Sequence, residues 1–526
     1  MRATLTWRWC SGARLLIPVI AFVLVGVVGA PSSASRPAPA TTEFPGAAAP
    51  TGSWPYPNGD IANTRNAPDS TISTANVSGL REAWTFKLGG KAETAVGSLT
   101  APPVVAAGVV YLQDEDANVY ALALATGKQK WEYEVNLPEK SGPGPDGVAV
   151  ASGAVYGDSS TSVFALSAAT GKAIWVDRHL LHAGQGAFEI QPQVANGRVY
   201  LASAYGSGPG GGVLIALSAA TGRLLWTFKT VLGQGQGVKA LGVGSGGAWE
   251  TPLVGSDGSV TFGIGNPYQS IEWAIAHPSR QLYTDSEVNL DAATGKLRWY
   301  YQAVPDDFAD HDLQASPISA ALGAVPLIIT GGKMGYVYAL NAQSGAPLWK
   351  TPVGKHNGHD NDSLLALSHQ LRIKVPYTVE PGSLGGILSN MAVADGSVYA
   401  ATIDLPITFT TLKSVDGDKS SGTKTGEVEA LSLATGTVEW DTEVPSLPIG
   451  AATVSNDLVF TTLYSGVLIA LNRGTGAIVY QHQLPGSTNS PIAVFGNTVL
   501  VTAGGRQTAS STSSGGEAQL VAYTVP

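Results

Sequence analysis

Residues 119–131 read VYALALATGKQKW. An apolar run ending in Ala-Leu leads into a small turn at Thr126-Gly127, and a second run closes on Trp131. Glycine in the turn can take the positive φ that a tight hairpin needs, and the threonine hydroxyl can cap it. The terminal tryptophan is a large wedge suited to packing between neighbouring layers. The pattern returns as VFALSAATGKAIW ending at Trp175, LIALSAATGRLLW at Trp226 and EVNLDAATGKLRW at Trp299. It returns again as VYALNAQSGAPLW at Trp349, VEALSLATGTVEW at Trp440 and LIALNRGTGAIVY at Tyr480, which makes seven copies. Glycine-to-glycine spacing is 40 to 51 residues, except for two gaps of 73 and 91 residues.

A further strand precedes most copies, as in APPVVAAGVVYL (101–112) and ATVSNDLVFTTL (452–463). Each unit is then a small antiparallel sheet that cannot bury both faces alone, and repeats of this length and content indicate propeller blades. An eighth unit follows from the two ends. SPIAVFGNTVLVTAGG (490–505) and AQLVAYTVP (518–526) lack a tryptophan strand, and LREAWTFKL (80–88) supplies one. The expectation is an all-β, eight-bladed propeller over 54–526, closed by pairing of its N- and C-terminal strands so that no open edge remains.

Composition agrees. Among 526 residues 44% are hydrophobic and 13% charged, with 64 Gly and 32 Pro, a mixture that suits short strands and tight turns. The formal net charge is −9 and no long basic run occurs, which argues against a nucleic-acid partner. Arg2, Arg8 and Arg14 precede the apolar run LLIPVIAFVLVGVVGA (15–30) and the small residues PSSAS. Residues 1–34 therefore read as a signal peptide cleaved after Ala34, with an uncleaved anchor as the alternative. Residues 35–53 read as a Pro/Ala/Thr-rich tether. The expected location is secreted or at the cell envelope. Cys10 is the only cysteine, so the sequence holds no disulfide, no thiolate metal site and no C-x-x-C-H haem attachment, and no haem is expected.

The acidic stretch AVPDDFADHDL (303–313) stands out in so weakly charged a chain. From the residues alone it is either a hydrated loop between units or a working site. Trp249, after the glycines of GSGGAW, is either a core residue or a floor for a planar ligand. Asn266 before Pro267 is either a turn residue or a ligand, and Lys333 is either a solvated loop lysine or part of a site. GKHNGHDND (354–362) carries His356, His359, Asp360 and Asp362 in no recognisable metal spacing, and reads as a solvated insertion. This insertion opens the 91-residue gap and is expected to lie over one face and shape an entrance.

The repeats, with GSGGAWETPLVGSDGSVTFGIGNPYQS (244–270) and LYTDSEVNLDAATGKLRWYYQAVPDDFADHDL (282–313), resemble the PQQ-dependent quinoprotein alcohol dehydrogenases over roughly residues 54–526. The resemblance implies an eight-bladed propeller holding pyrroloquinoline quinone (PQQ) and Ca²⁺. Trp249 resembles the residue on which the quinone stacks, and Lys333 the cation at its carbonyls. Asn390 resembles a further residue of the central site. Asn266 and Asp310 resemble metal ligands, and Asp310 also resembles the catalytic base. Two departures stand out. LASAYGSGPGGGVLIAL (201–217) has no carboxylate where the family's metal-binding Glu is expected, with Ser207 or a neighbour in that place, and a quinone-contacting Glu is replaced near Leu99. The function implied is oxidation of an alcohol or related hydroxyl substrate, with electrons passing to an external acceptor. The alternative is a non-catalytic propeller that serves as a binding or assembly scaffold with a protein partner.

Overall fold

The computed structural model describes residues 52–89, 97–135, 147–182, 184–204, 211–232, 245–420, 424–504 and 516–526. The leader, Cys10, Ser207 and most of the tether lie outside the described residues. Ser53 and Trp54 are already buried, so the packed body includes the last residue assigned to the tether. No helix among the described residues is long and apolar enough to cross a membrane.

The chain is all-β, with eight four-stranded antiparallel sheets among the described residues. Sheets 1 to 7 are formed in chain order and contain Val119–Ala123, Ser162–Ser167, Val213–Ser218, Ser286–Asp291, Tyr336–Asn341, Thr425–Ser432 and Val467–Asn472 as their third strands. Sheet 8 joins the ends of the chain: Arg81–Lys87 pairs antiparallel with Gln519–Thr524, beside Thr498–Ala503 and Ala493–Phe495. In every one of the seven repeats the third-to-fourth strand pairing slips at the same place, after the residue preceding the repeat's leucine: Ala121/Leu122 in sheet 1, Asn289/Leu290 in sheet 4, Ala470/Leu471 in sheet 7. Such a bulge adds twist to an antiparallel pair.

The tryptophans work as the sequence predicts. Trp84 Nε1 donates to the Leu124 carbonyl at 2.7 Å, Trp226 Nε1 to Ala292 O at 3.1 Å, and Trp440 Nε1 to Arg473 O at 2.8 Å, each in the next sheet's turn. The turn glycine lies flat on the same indole. A Cβ on Gly295 would come within 2.7 Å of Trp226, and Gly295 has a φ of +69°, so glycine is required there twice over. Sheet 7 has Tyr480 in the tryptophan position, and its neighbour His482 packs edge-on against Tyr523 of sheet 8. The third strands are buried almost throughout, whereas fourth strands such as Gln129–Tyr133 are half-exposed.

The segment 54–72 is a structural feature the repeats did not announce. Trp54 pairs with Val105 at the start of sheet 1, Ala62 O accepts from Ser319 N of sheet 5, Thr64 O accepts from Val393 N of sheet 6, and Asn66 bridges Val454 of sheet 7. The fully buried Arg65 donates to Ala452 O at 3.0 Å and to Ile492 O at 2.5 Å, leading into sheets 7 and 8. First strands from across the chain thus converge on one segment.

The long insertion forms a small three-stranded sheet, Tyr377–Val379, Ile407–Phe409 and Lys419–Ser420. Its core includes Tyr377, Ile407 and Phe409, packed with Ile271 and Ala274 of the short helix Ile271–Ala276 and with Phe308 and Ala309 of the acidic stretch.

Candidate functional site

A cavity of about 490 Å³ opens where the chain enters its first strands. Thr100, Gln191, Trp249, Gln314, Asn390 and Asn489 line it, from the approaches to sheets 1, 3, 4, 5, 6 and 8. The insertion and sheet 6 add an apolar wall, with Leu384, Leu388, Ile403 and Leu405. The volume falls within the range of small-molecule and cofactor pockets.

One side of this cavity is polar and tightly wired. Asn390 Nδ2 donates to Glu250 Oε2 at 2.9 Å and to Asn58 Oδ1 at 3.1 Å, while Asn390 Oδ1 accepts from Ser316 N at 2.8 Å. Arg65 donates to the same Asn58 oxygen at 3.0 Å. Burial pushes Glu250 up to about 7, against the opposing pull of Asn390 and Arg65. Burial also pushes Arg65 down to about 9, so it stays charged at neutral pH.

The other side is Lys333, from the turn after strand Val325–Gly332, and its acids. Lys333 Nζ lies 2.9 Å from Asp310 Oδ2 and 2.6 Å from Asp312 Oδ2. Asp312 Oδ1 accepts from Asn266 N at 2.7 Å. A Cβ on Gly265 would lie 2.4 Å from Asp312 Oδ1 and 3.0 Å from Trp249 Nε1, so the bare glycine backbone brings the indole and the acids together. Burial alone would depress the Lys333 ammonium, but Asp310 and Asp312 outweigh it and hold it above its ordinary range. Burial raises the Asp310 carboxyl well above its ordinary range, with Lys333 opposing and Asp312 and Asp416 adding to the rise. Asp310 Oδ1 and Asn266 Oδ1 are buried with no hydrogen-bond partner.

The acidic stretch is not a hydrated loop. Asp306, Asp307, Asp310 and Asp312 are 0%, 1%, 6% and 0% exposed. Asp307 shapes the turn: its carboxylate accepts from Ala309 N at 3.0 Å and His311 N at 2.9 Å. Asp310 itself has a φ of +61°, a left-handed conformation that Asp tolerates better than most residues. His311 lies 3.1 Å from the Pro381 carbonyl through Nε2, tying the loop to the insertion. Asp285 is buried, with both carboxylate oxygens lacking hydrogen bonds, and burial together with Asp307, Asp312 and Asp310 raises its carboxyl well above the ordinary range, against the pull of Lys333.

The structure thus places Trp249, Lys333 and Asn390 on the cavity and Asp310 and Asn266 against Lys333 and Asp312. The sequence reading missed Glu250, Arg65 and Asp285, each of which follows from packing between distant segments. In the His/Asp stretch 354–362 four residues are exposed and none is buried; the half-buried His356 lies beside Asp360, and His359 Nδ1 lies 2.9 Å from Asp362 Oδ2. Among the described residues, the one group of three acids or imidazoles whose ligand atoms all lie within 4.8 Å of one another is Glu427, Glu429 and Asp441, on sheet 6. Glu429 there is already satisfied by Thr402 Oγ1 at 2.7 Å and Gly354 N at 3.2 Å.

Residues 54–356 match the family model for the β-propeller domain of glucose/ethanol/alcohol dehydrogenases. Residues 424–519 match that of the outer membrane protein assembly factor BamB. Quinoprotein alcohol dehydrogenase PedH of Pseudomonas putida is 26% identical over 319 residues, 54% of this chain and 52% of that protein. The 1-butanol dehydrogenase (quinone) of Thauera butanivorans is 27% identical over 292 residues, 47% of this chain and 46% of that protein. The chain therefore spans about half the length of the curated relatives it matches. The quinohemoprotein alcohol dehydrogenase of Comamonas testosteroni superposes with a TM-score of 0.74 at 21% identity, covering 91% of this chain and 81% of that structure.

Proposed function

Because the chain belongs to the glucose/ethanol/alcohol dehydrogenase β-propeller family, we propose that it is an exported, PQQ-dependent dehydrogenase acting on an alcohol or related hydroxyl substrate. Its electrons pass to an external acceptor. In this reading the eight sheets are eight blades of a propeller closed through sheet 8, and the cavity lies on its axis.

The observation that carries the reading is the buried Lys333–Asp310 pair beside Trp249, with Asp310 Oδ1 and Asn266 Oδ1 left open. The residues suit the implied groups. Trp249 offers an aromatic face to a planar ring system. Lys333 offers donors to quinone oxygens, and Asn390 a polar contact at the far side. Asn266 and Asp310 offer oxygen donors to Ca²⁺, a hard cation that takes oxygen ligands. When bound, PQQ with its Ca²⁺ would supply a polarised electrophile that takes up a hydride, which carries both electrons of the oxidation.

The chain's own residues do the rest. Lys333 Nζ holds Asp310 Oδ2, which leaves Oδ1 to take the hydroxyl proton of the substrate. Asp312 shares the same ammonium and keeps it protonated and fixed. Asp307 clamps the turn that aims Asp310. Leu388, Ile403 and Leu405 add apolar surface to the cavity that Lys333 also lines.

The test is to mix purified protein with PQQ and Ca²⁺, look for quinone absorbance that survives gel filtration, and then measure dye reduction with an alcohol panel. Absence of bound quinone sinks the proposal. A second reading, a non-catalytic assembly scaffold, draws on the BamB-type match over 424–519 and on the lack of a carboxylate in 201–217. It expects a propeller that folds fully and binds no quinone.

A further inference from the structure

Among the described residues, the lining of the cavity holds one carboxyl group, that of Glu250, which follows Trp249 directly in the chain. Asn390 holds it. Asn390 Oδ1 accepts from Ser316 N, which fixes the amide's orientation and aims Nδ2 at Glu250 Oε2 and Asn58 Oδ1. Arg65 is the cation that pulls on Glu250, yet its bonds go elsewhere. Nε donates to Ala452 O, Nη1 to Asn58 Oδ1, and Nη2 to Thr453 Oγ1 at 2.8 Å and Ile492 O at 2.5 Å. Asn58 and Asn390 therefore stand between the two charges.

Because Asn390 donates to Oε2, a proton on Glu250 belongs on Oε1, where it makes the carboxyl a hydrogen-bond donor. Neighbouring amides have already spent their hydrogens. Asn390 uses both on Glu250 and Asn58, and Gln191 directs its own to Val148 O at 2.9 Å and Pro102 O at 3.4 Å. Gln314 Nε2 donates to Leu388 O at 3.1 Å. An anionic group entering beside Glu250 thus meets a carboxyl and amides that are occupied. Two carboxylates brought together away from water do not both ionise, and one of them takes a proton. Burial has already moved Glu250 up to about 7, so that proton costs little at neutral pH.

We propose that Glu250 is a further quinone-binding residue, which meets a carboxylate of the ligand as a neutral acid donating from Oε1, so that binding takes up one proton from solvent. The inference rests on the quinoprotein reading above. PQQ is a polycarboxylate and brings negative charge into the cavity. A ring lying on Trp249 has Glu250 beside it, since the two are consecutive and both line the cavity. Lys333, Lys424, Tyr268 and Tyr464 are the other titratable groups on the lining. Lys333 is held above its ordinary range by its acids, Tyr464 is raised by burial, and Arg65 stays charged at neutral pH. Asp310 and Asp312, bound to Lys333, are common to wild type and a Glu250 variant, so comparing the two isolates Glu250.

The test titrates PQQ into the full chain with Ca²⁺ in excess, by calorimetry in two buffers of different ionisation enthalpy, which counts the protons taken up. The titration is repeated across neutral pH. Wild type should take up close to one proton per quinone above about pH 7, and bind roughly tenfold more weakly at about pH 8.5 than at about pH 6.5. Glu250→Gln keeps an acceptor for Asn390 and a donor for the ligand. It should bind as wild type does at the lower pH, lose most of the uptake and flatten the pH dependence. Glu287→Gln removes another carboxyl raised by burial, away from the cavity lining, and should take up protons as wild type does. Equal uptake in wild type and Glu250→Gln overturns the role of Glu250 and leaves the functional proposal standing. So does quinone binding without proton uptake in wild type, a result that needs no variant. No saturable PQQ binding at any pH overturns both.

Discussion

The outer edges of the sheets and their inner ends are built on opposite rules. At the outer edge the same contact is used repeatedly: an indole N–H to a turn carbonyl, and a glycine under the ring, as at Trp226 with Ala292 and Gly295. Each such joint is uncharged and links successive sheets. At the inner ends nothing repeats. Asn266, Asp310, Asp312 and Lys333 come from three segments, and their side chains are charged or amide groups buried close together. The first rule fixes the scaffold at little chemical risk. The second concentrates buried charge in one place, where unpaired oxygens are costly unless a ligand meets them.

The largest effect should come from the inner end. Asp310→Asn keeps the shape of the side chain and removes the base, so dye-linked turnover should fall on the order of 10³-fold, within the range for loss of a general base. Quinone retention after gel filtration should be unchanged. Turnover near the wild-type level would remove Asp310 from the mechanism.

At the outer edge, Trp226→Ala should destabilise by about 3–5 kcal/mol, read from denaturant midpoints, because a large buried side chain and its hydrogen bond are lost together. Quinone affinity measured well below the transition should not change. A parallel loss of affinity would mean that the two regions are not separable.

This contrast also explains what the sequence reveals. Repeats at the outer edge are written in contiguous residues, so the strands, the turn glycines and even the sharing of sheet 8 by both chain ends are legible from spacing alone. The site is legible only where a segment carries its own signal, as 303–313 and 244–270 do. Arg65 sits in a segment without repeats. Its significance arises from packing between residues hundreds of positions apart, as when it donates to Ile492 O. Burial of the acidic stretch is likewise not written in the sequence, because four aspartates in seven positions suit a hydrated loop as well as a site until the insertion is seen to pack against them.

A third effect tests the cost of buried acids outside the site. Glu287, bonded to Thr330 Oγ1 at 2.5 Å, is pushed up to about 8, chiefly by burial. A carboxyl whose pKa is higher folded than unfolded binds its proton more tightly when folded. Stability should therefore fall as pH rises from the ordinary Glu range toward 8. Melting temperature should drop across that window, and Glu287→Gln, which keeps the neutral form, should flatten the drop. A pH profile identical to wild type would mean that Glu287 is ionised in the folded protein. The smallest effect belongs to the surface: Asp257→Asn breaks an exposed pair with Arg298 at 2.9 Å and should change stability by about 1 kcal/mol or less.

The central claim is that the buried charges beside Trp249 form a quinone site. Equilibrium binding of PQQ in the presence of Ca²⁺, followed by quenching of tryptophan fluorescence, tests it most directly. The expected result is saturable binding of one quinone per chain, abolished by Lys333→Ala and weakened by EDTA. Absence of saturable binding in a fully folded protein would contradict the claim.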